Sequence, residues 1–199
     1  REKWNEAIAS YDRTLEIAPT HTEAYVNRSH AYMNLGQLDR AIADSNKAIE
    51  LNPKLPQAYV NRSACYMAQN EIDKAIADSS KAIELDPKIA MAYHNRSACY
   101  MQQKKFDQSF KDSNKAIELN PNLPQAYYIR ATYSFSKKQI DQALTDCNKA
   151  IQFDPALIQP YSVQATFLRG SIYLTGKEYE KAIADYSQFI TRRPTSTVA

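Results

Sequence analysis

Five arginines recur in the sequence, and each is followed by an aspartate at the same distance. The aspartate comes 16 residues after the arginine in all five pairs, which are Arg28 and Asp44, Arg62 and Asp78, Arg96 and Asp112, Arg130 and Asp146, and Arg169 and Asp185. Most of these arginines lie beside tyrosines on the packed side of a predicted helix, so their charges need partners. We predict five structural, non-catalytic ion pairs, in which losing one partner costs about 3–5 kcal/mol.

Three asparagines precede the first three of these arginines. Asn27, Asn61 and Asn95 are 34 residues apart and share a helix face that the core does not need. A primary amide both donates and accepts hydrogen bonds, so it can match the backbone of an extended peptide without reading its side chains. We therefore predict a ladder of asparagines that contacts a ligand. The alternative is that these residues are tolerated polar surface groups.

The residues around this ladder change along the chain. Immediately before the three asparagines stand Val26, Val60 and His94. In the last two repeats, the corresponding two places hold apolar residues, namely Tyr128 with Ile129 and Phe167 with Leu168. Exposed apolar surface of this kind usually marks a binding site. We predict that all of these residues line one peptide-binding surface, with side-chain selectivity concentrated at its C-terminal end.

Patterns that would indicate an enzyme, a metal site or a cofactor site are missing from the sequence. There is no HExxH motif, no cluster of Cys and His, no glycine-rich phosphate loop and no nucleophile elbow. The three cysteines, Cys65, Cys99 and Cys147, occupy small-residue places and are interpreted as core residues without disulfides. We expect no enzyme activity, no cofactor and no metal.

The elements that position these side chains follow from a repeated phrase. The segment AYVNRSACYM, which starts at Ala58, returns with few changes from Ala24 and from Ala92, at an interval of 34 residues. A fixed period of this size indicates stacked repeats. Within the phrase Tyr59, Ser63 and Tyr66 share one helix face, and a second amphipathic helix follows in each period. A proline then closes each period, because proline cannot continue a helix. The unit is therefore a helical hairpin.

Counted from Pro56 as position 1, the pattern of the unit is Tyr at 4, a small residue at 8, Tyr at 11, a large apolar residue at 17, Ala at 20, a small residue at 24, Ala at 27 and Pro at 32. This pattern resembles the tetratricopeptide repeat. The resemblance implies an all-α fold, a right-handed α-solenoid of eleven main helices. It also implies a concave groove lined by positions 2, 5, 6, 9, 12 and 13 of the first helices, where the asparagine ladder and the apolar patch would lie.

The repeats divide the chain into one predicted array over residues 1–199. We assign a half repeat to residues 1–21, regular units to 22–55, 56–89, 90–123 and 124–157, an insertion to 158–162 and a last repeat to 163–196. The half repeat indicates either a fragment of a longer protein or an unusual cap. The insertion is expected to lengthen the following helix, with Pro160 in its first turn. Gly170, Tyr186 and Phe189 depart from the pattern, which favours a last repeat that caps the stack or packs against another molecule.

These features predict a scaffold that binds an extended peptide or protein segment. One alternative is an architectural or substrate-recruiting segment of a larger enzyme or assembly. Another is a reader of single-stranded RNA, which is disfavoured because each regularly placed arginine has its aspartate and the net charge is only +3. Of the Lys and Asn pattern by which related domains grip chaperone C-termini, only the middle Asn is present, so no carboxylate clamp is predicted.

The sequence also bears on location. No apolar run approaches the roughly 20 residues that a membrane span requires, so no direct membrane insertion is expected. The three NRS sequons at Asn27, Asn61 and Asn95 lie inside predicted helices, where a glycan would disturb packing. We therefore expect an intracellular, cytoplasmic protein.

Overall fold

The computed structural model describes residues 1–153 and 160–192, in which the helices are joined by turns and no β-strand occurs. This confirms the predicted fold class and the eleven main helices. The helices are α1 (Glu2–Ile17), α2 (Thr22–Asn34), α3 (Leu38–Leu51), α4 (Pro56–Ala68), α5 (Ile72–Leu85), α6 (Ala90–Gln102), α7 (Phe106–Leu119), α8 (Pro124–Ser136), α9 (Ile140–Gln152), α10 (Pro160–Thr175) and α11 (Tyr179–Arg192).

The chain divides into two compact units. Unit 1 comprises residues 1–103 with α1 to α6, and unit 2 comprises residues 104–199 with α7 to α11. Inside each unit every helix packs against the next one, and first helices also pack against one another, as α2 does with α4, α4 with α6, and α8 with α10. Helical hairpins stacked in this way bury their apolar faces between neighbours, as in other helical repeats.

Proline and left-handed residues set the helix boundaries. Pro56, Pro124 and Pro160 each begin a first helix, where the missing proline N–H is no loss because first-turn N–H groups lack helical acceptors. After the first helices of unit 1, Gly36 and Asn70 adopt positive φ angles of 78° and 61°. A residue in this conformation reverses the chain after a helix, so the two helices of a hairpin can be joined by a short turn.

Small residues let the two helices of a hairpin approach closely. In unit 1 the buried hydroxyl groups of Ser29 and Ser45 lie 2.7 Å apart, and those of Ser63 and Ser79 lie 2.6 Å apart. Each pair occupies positions 8 and 24 of its repeat. Hydrogen bonding between the two hydroxyls removes the cost of burying them.

The three cysteines are free thiols buried in the helix packing. Burial raises the pKa of Cys65 and of Cys99 to about 11, and that of Cys147 to about 12. The thiols therefore stay protonated near neutral pH, and a protonated thiol is a poor nucleophile. The interpretation of these cysteines as small core residues is confirmed.

The last hairpin differs from the others. Its first helix, α10, starts at Pro160 as predicted and has 16 residues, whereas α8 has 13. Residues 158 and 159 of the predicted insertion lie outside the described residues, as do Pro155 and Pro194. Gly170 and Tyr186 replace the paired serines, and a Cβ atom on Gly170 would lie 3.0 Å from Tyr186 Cε1. A larger residue at this position would therefore require the tyrosine ring to shift.

None of the eleven described helices combines the length and apolar character that crossing a membrane requires.

Candidate functional site

Four of the five predicted Arg–Asp pairs are brought together by the structure. In each pair the arginine Nε and Nη2 atoms donate to the two carboxylate oxygens of the aspartate, at distances between 2.7 and 2.9 Å. The pairs are Arg28–Asp44, Arg62–Asp78, Arg130–Asp146 and Arg169–Asp185, and all four aspartates are buried. Two-point pairing of this kind fixes geometry as well as charge. The fifth pair, Arg96 with Asp112, stays a prediction.

The remaining arginine nitrogen reaches back to the preceding hairpin. Arg62 Nη1 donates to Asn46 Oδ1 at 2.7 Å, and Arg130 Nη1 donates to Asn114 Oδ1 at 2.9 Å. The same atom of Arg28 donates to Asp12, that of Arg96 to Ser80 and that of Arg169 to Asn148. Each arginine thus ties its own hairpin to the one before it. A polar residue stands at position 25 of every preceding unit, and this signal in the sequence was not used to predict the contact.

The asparagine row is mostly buried. Asn61 and Asn95 are each 3% exposed, whereas Asn27 is exposed. Asn61 Nδ2 donates to the Val26 carbonyl at 3.0 Å, and Asn95 Nδ2 donates to the Val60 carbonyl at 3.2 Å. These side chains therefore link successive first helices. Ligand contact by the row stays a prediction, and the structure adds this second role.

Replacing Asn61 with alanine should lower the free energy of unfolding by about 1–3 kcal/mol, because a buried hydrogen bond to the Val26 carbonyl is lost. Chemical denaturation followed by circular dichroism measures the change. Asn27→Ala is the matched control, since it makes the same substitution at the same repeat position in an exposed side chain. An equal loss in both variants would contradict a stabilising role for the buried hydrogen bond.

Val26, Val60 and His94 lie in the core rather than on the surface. Val60 packs with Tyr59, Ala82 and Ala92, and His94 is 3% exposed. Burial lowers the pKa of His94 to about 4, because a charged imidazole loses its hydration. His94 is therefore neutral near pH 7.

The exposed side of α2 carries a row of polar residues instead. Glu23, Asn27, His30 and Asn34 are all exposed, and their spacing of four, three and four residues places them on one face. The His30 ring also packs perpendicular to the Trp4 ring, with ring centroids 5.4 Å apart. We call these four α2 residues the polar row. The spacing is visible in the sequence, although Asn27 is the only one of the four residues predicted above to contact a ligand.

The predicted apolar residues of unit 2 divide between surface and core. Ile129 is buried and Leu168 is partly buried against a cluster with Cys147 and Ile172. Tyr128 is half-buried, and burial raises its pKa. Phe167 is 46% exposed and is the most accessible of the four.

Two aromatic side chains of α11 hold the Phe167 ring in place. The centroid of the Phe167 ring lies 5.4 Å from that of Tyr186 and 4.9 Å from that of Phe189. Aromatic pairs at these separations attract one another beyond the burial of their area. The Phe167 ring is thus a positioned apolar group on an open surface.

Within residues 1–153 and 160–192, no three His, Cys, Asp or Glu side chains come together in a way that could hold a metal ion.

A family model described as Tetratricopeptide repeat matches residues 22–55, 56–89, 90–123 and 124–157. A second model with the same description matches residues 152–197. The four ranges of the first model coincide with the four regular units assigned from the sequence. No curated protein matches the sequence significantly.

Several solved structures share the fold. YrrB, described as a TPR protein with an unusual peptide-binding site, is 19% identical over 94% of this chain and 93% of that chain, with a TM-score of 0.65. A chain of the APC/C hetero-tetramer Cut9-Hcn1 is 16% identical over 96% of this chain and 37% of that chain, with a TM-score of 0.84. MamA is 24% identical over 77% of this chain and 90% of that chain, with a TM-score of 0.63. At these identities the likeness concerns the fold alone.

Proposed function

Because this chain belongs to the tetratricopeptide repeat family, we propose that it is a protein-interaction scaffold that binds an extended peptide or protein segment through the first helices of its repeats. The observation that carries this proposal is the polar row of α2, which in the described residues leaves two exposed amides, an exposed carboxylate and an exposed imidazole on one helix face. The description of YrrB as having a peptide-binding site is in line with this function.

In unit 1 the ligand contact centres on the polar row. The exposed amide of Asn27 donates to and accepts from the backbone of the ligand, which gives affinity without strong sequence preference. Asn61 and Asn95 are the other two members of the asparagine row. Their amides donate to the Val26 and Val60 carbonyls, so they hold α4 and α6 against the preceding first helices.

In unit 2 the ligand contact is apolar. Phe167 receives an apolar side chain of the ligand, and the half-buried Tyr128 adds a second aromatic contact. Ile129 is buried and Leu168 is half-buried, so these two side chains form the apolar layer beneath this surface. A rigid aromatic group discriminates between ligand side chains of different size, so selectivity for ligand side chains resides in unit 2.

A peptide array tests both contacts. Asn27→Ala should weaken most peptides together, by about 0.5–1.5 kcal/mol for the hydrogen bond lost, and should keep their rank. Phe167→Ala should reorder peptides that differ at one apolar residue. Asn122→Ala and Phe106→Ala are matched controls, because both residues are exposed and belong to neither surface. An array profile unchanged in strength by Asn27→Ala and unchanged in rank by Phe167→Ala, with folding intact, would overturn the proposal.

Nucleic acid is not proposed as the ligand. Four repeat arginines each donate hydrogen bonds from two nitrogens to a buried aspartate carboxylate, namely Arg28, Arg62, Arg130 and Arg169. Because the carboxylate compensates the charge of the guanidinium, an arginine paired in this way attracts a phosphate backbone only weakly. We also propose a cytoplasmic location, because Asn61 and Asn95 of the NRS sequons are buried in the folded chain and cannot carry a glycan there.

A further inference from the structure

The turn before α7 opens onto a recess in which positive charge is concentrated. The recess has a volume of about 230 Å³ and belongs to unit 2. Three lysines from two successive hairpins line it together with one carboxylate and two uncharged residues, namely Lys104, Lys105, Lys137, Asp107, Phe106 and Gln108. All six residues are exposed. We call Lys104, Lys105 and Lys137 the lysine cluster.

Recesses at two other turns have balanced charges. The turn before α3 forms a recess of about 440 Å³ that is lined by one arginine and one aspartate among its charged residues. The turn before α11 forms a recess of about 370 Å³ that is lined by two lysines and two glutamates. Before α7, three lysines stand against one aspartate. The excess of positive charge is therefore a property of this recess and not of the turn as such.

The backbone at Lys104 favours a residue other than lysine. Its φ angle is 59°, and the residues at the same repeat position in unit 1 are Gly36 and Asn70, with φ angles of 78° and 61°. Glycine adopts a positive φ freely and asparagine adopts it more readily than most residues, whereas a lysine is strained there. In the following repeats this position holds Lys138 and Lys177, also at positive φ. A lysine kept in a strained conformation indicates that its side chain has a function.

The carboxylate of the recess compensates the lysine cluster only weakly. Asp107 accepts a hydrogen bond from the Tyr133 hydroxyl at 2.9 Å, and it lies 4.0 Å from Lys137 Nζ. An exposed ion pair at such a distance contributes little. Lys137 Nζ also lies 5.4 Å from the centroid of the Tyr133 ring, which helps to hold the ammonium group at the recess. The recess therefore attracts an anion.

We propose that the lysine cluster binds an acidic segment of a partner protein, whose Asp or Glu carboxylates enter the recess. Carboxylates supply the charge that is complementary to the three ammonium groups, and complementary charge favours encounter with such a segment. The site shares no residue with the surfaces of the proposed function and does not depend on them.

A continuous negative surface, such as a membrane or a phosphate backbone, fits this end of unit 2 less well. Exposed carboxylates stand at the start of the following second helices, namely Asp141, Glu178 and Glu180. Equivalent ends of stacked hairpins lie side by side, so a continuous negative surface would also meet these carboxylates. A short acidic segment can place its side chains at the lysine cluster alone.

Fluorescence anisotropy of a labelled hexaglutamate peptide, titrated with the full chain at about 50 mM salt, tests the site. The double variant Lys104→Gln with Lys137→Gln should weaken binding at least about threefold, because two ion pairs with the peptide are lost. Lys177→Gln with Lys181→Gln is the matched control, since it removes the same charge from the recess before α11. Equal weakening by the two double variants, or no binding of hexaglutamate by the wild type, would overturn the proposal.

The variant Lys104→Gly separates the charge from the fold. Glycine adopts a positive φ without strain, so this variant should unfold at the same temperature as the wild type or at a higher one. It should nevertheless bind hexaglutamate at least about twofold more weakly, whereas Lys104→Arg should bind as the wild type does. Unchanged binding by Lys104→Gly would show that this lysine does not contact the peptide and would overturn the proposal.

Two other anions identify the class of ligand. These are a thymidine hexanucleotide and vesicles of equal parts phosphatidylserine and phosphatidylcholine, each measured with the wild type and with Lys104→Gln, Lys137→Gln. If either bound more tightly than hexaglutamate through the lysine cluster, an acidic protein segment would not be the ligand. Asn27→Ala and Phe167→Ala should leave hexaglutamate binding unchanged, so a failure here is distinguishable from a failure of the proposed function.

Discussion

Replacing Asp146 with alanine should lower the free energy of unfolding by about 3–5 kcal/mol. Asp146 is fully buried, and it accepts from Arg130 Nε at 2.8 Å and from Arg130 Nη2 at 2.7 Å. Without the carboxylate, the guanidinium keeps its charge but loses the partner that offsets its desolvation. Chemical denaturation of both proteins, followed by circular dichroism, measures the difference.

An exposed ion pair provides the control for this prediction. Lys47 and Glu50 lie 2.8 Å apart on the surface of α3, and Glu50→Ala should leave the free energy of unfolding unchanged within error. Replacing both partners, as Arg130→Met with Asp146→Leu, should recover part of the loss because no unpaired charge remains. If Asp146→Ala were no more harmful than Glu50→Ala, the arginine would not depend on its carboxylate.

Acidification from about pH 6.5 to about pH 4 should remove roughly 3 kcal/mol of stability through His94 alone. Burial lowers the pKa of this imidazole from 6.5 to about 4 in the folded chain. Between these values the unfolded chain binds the proton and the folded chain does not, so the free energy of unfolding falls as the pH falls. Above pH 6.5 both states are neutral, and the contribution is fully present.

The variant His94→Val isolates this effect, since Val26 and Val60 occupy the same repeat position. The free energy of unfolding of this variant should depend less on pH in the acidic window than that of the wild type. His30→Ala should keep the wild-type dependence, because His30 is exposed. Identical pH profiles for wild type and His94→Val would show that His94 does not titrate as the burial requires.

Much of the fold follows from the repeat alone. The 34-residue period, the helix faces and the closing prolines were enough to predict the number and class of the helices. The Arg–Asp pairs were also accessible, because a charge among packed tyrosines needs an opposite charge at a fixed distance in the next helix. Both residues of such a pair lie in one hairpin, where their separation in the sequence determines whether their side chains can meet.

Contacts between hairpins were harder to predict. Helical periodicity places Val60 and Asn61 on one side of α4, but it does not say whether that side meets ligand or the neighbouring first helix. In the structure α4 packs against α2, and the Asn61 amide donates a hydrogen bond to the Val26 carbonyl. The polar row on α2 is exposed in the part of the chain that the structure describes. Burial of positions 5 and 6 therefore depends on neighbours that the helical period does not reveal.

The last hairpin shows a different limit. The sequence indicated that Gly170, Tyr186 and Phe189 depart from the repeat, but not that the first two compensate each other. The tyrosine ring occupies the space that a side chain at 170 would need, and its hydroxyl donates to Ser171 at 3.1 Å. A paired change of this kind is recognisable only when the two positions are known to face each other.

Hydrogen–deuterium exchange can show directly whether the first helices carry the ligand surface. The chain is compared with and without a peptide selected on it from a random library. We predict that the peptide slows exchange in α2 and α10 more than in α3 and α9, because ligand contact suppresses local opening. Slowing confined to α3 and α9, with α2 and α10 unchanged, would contradict the proposed scaffold surface.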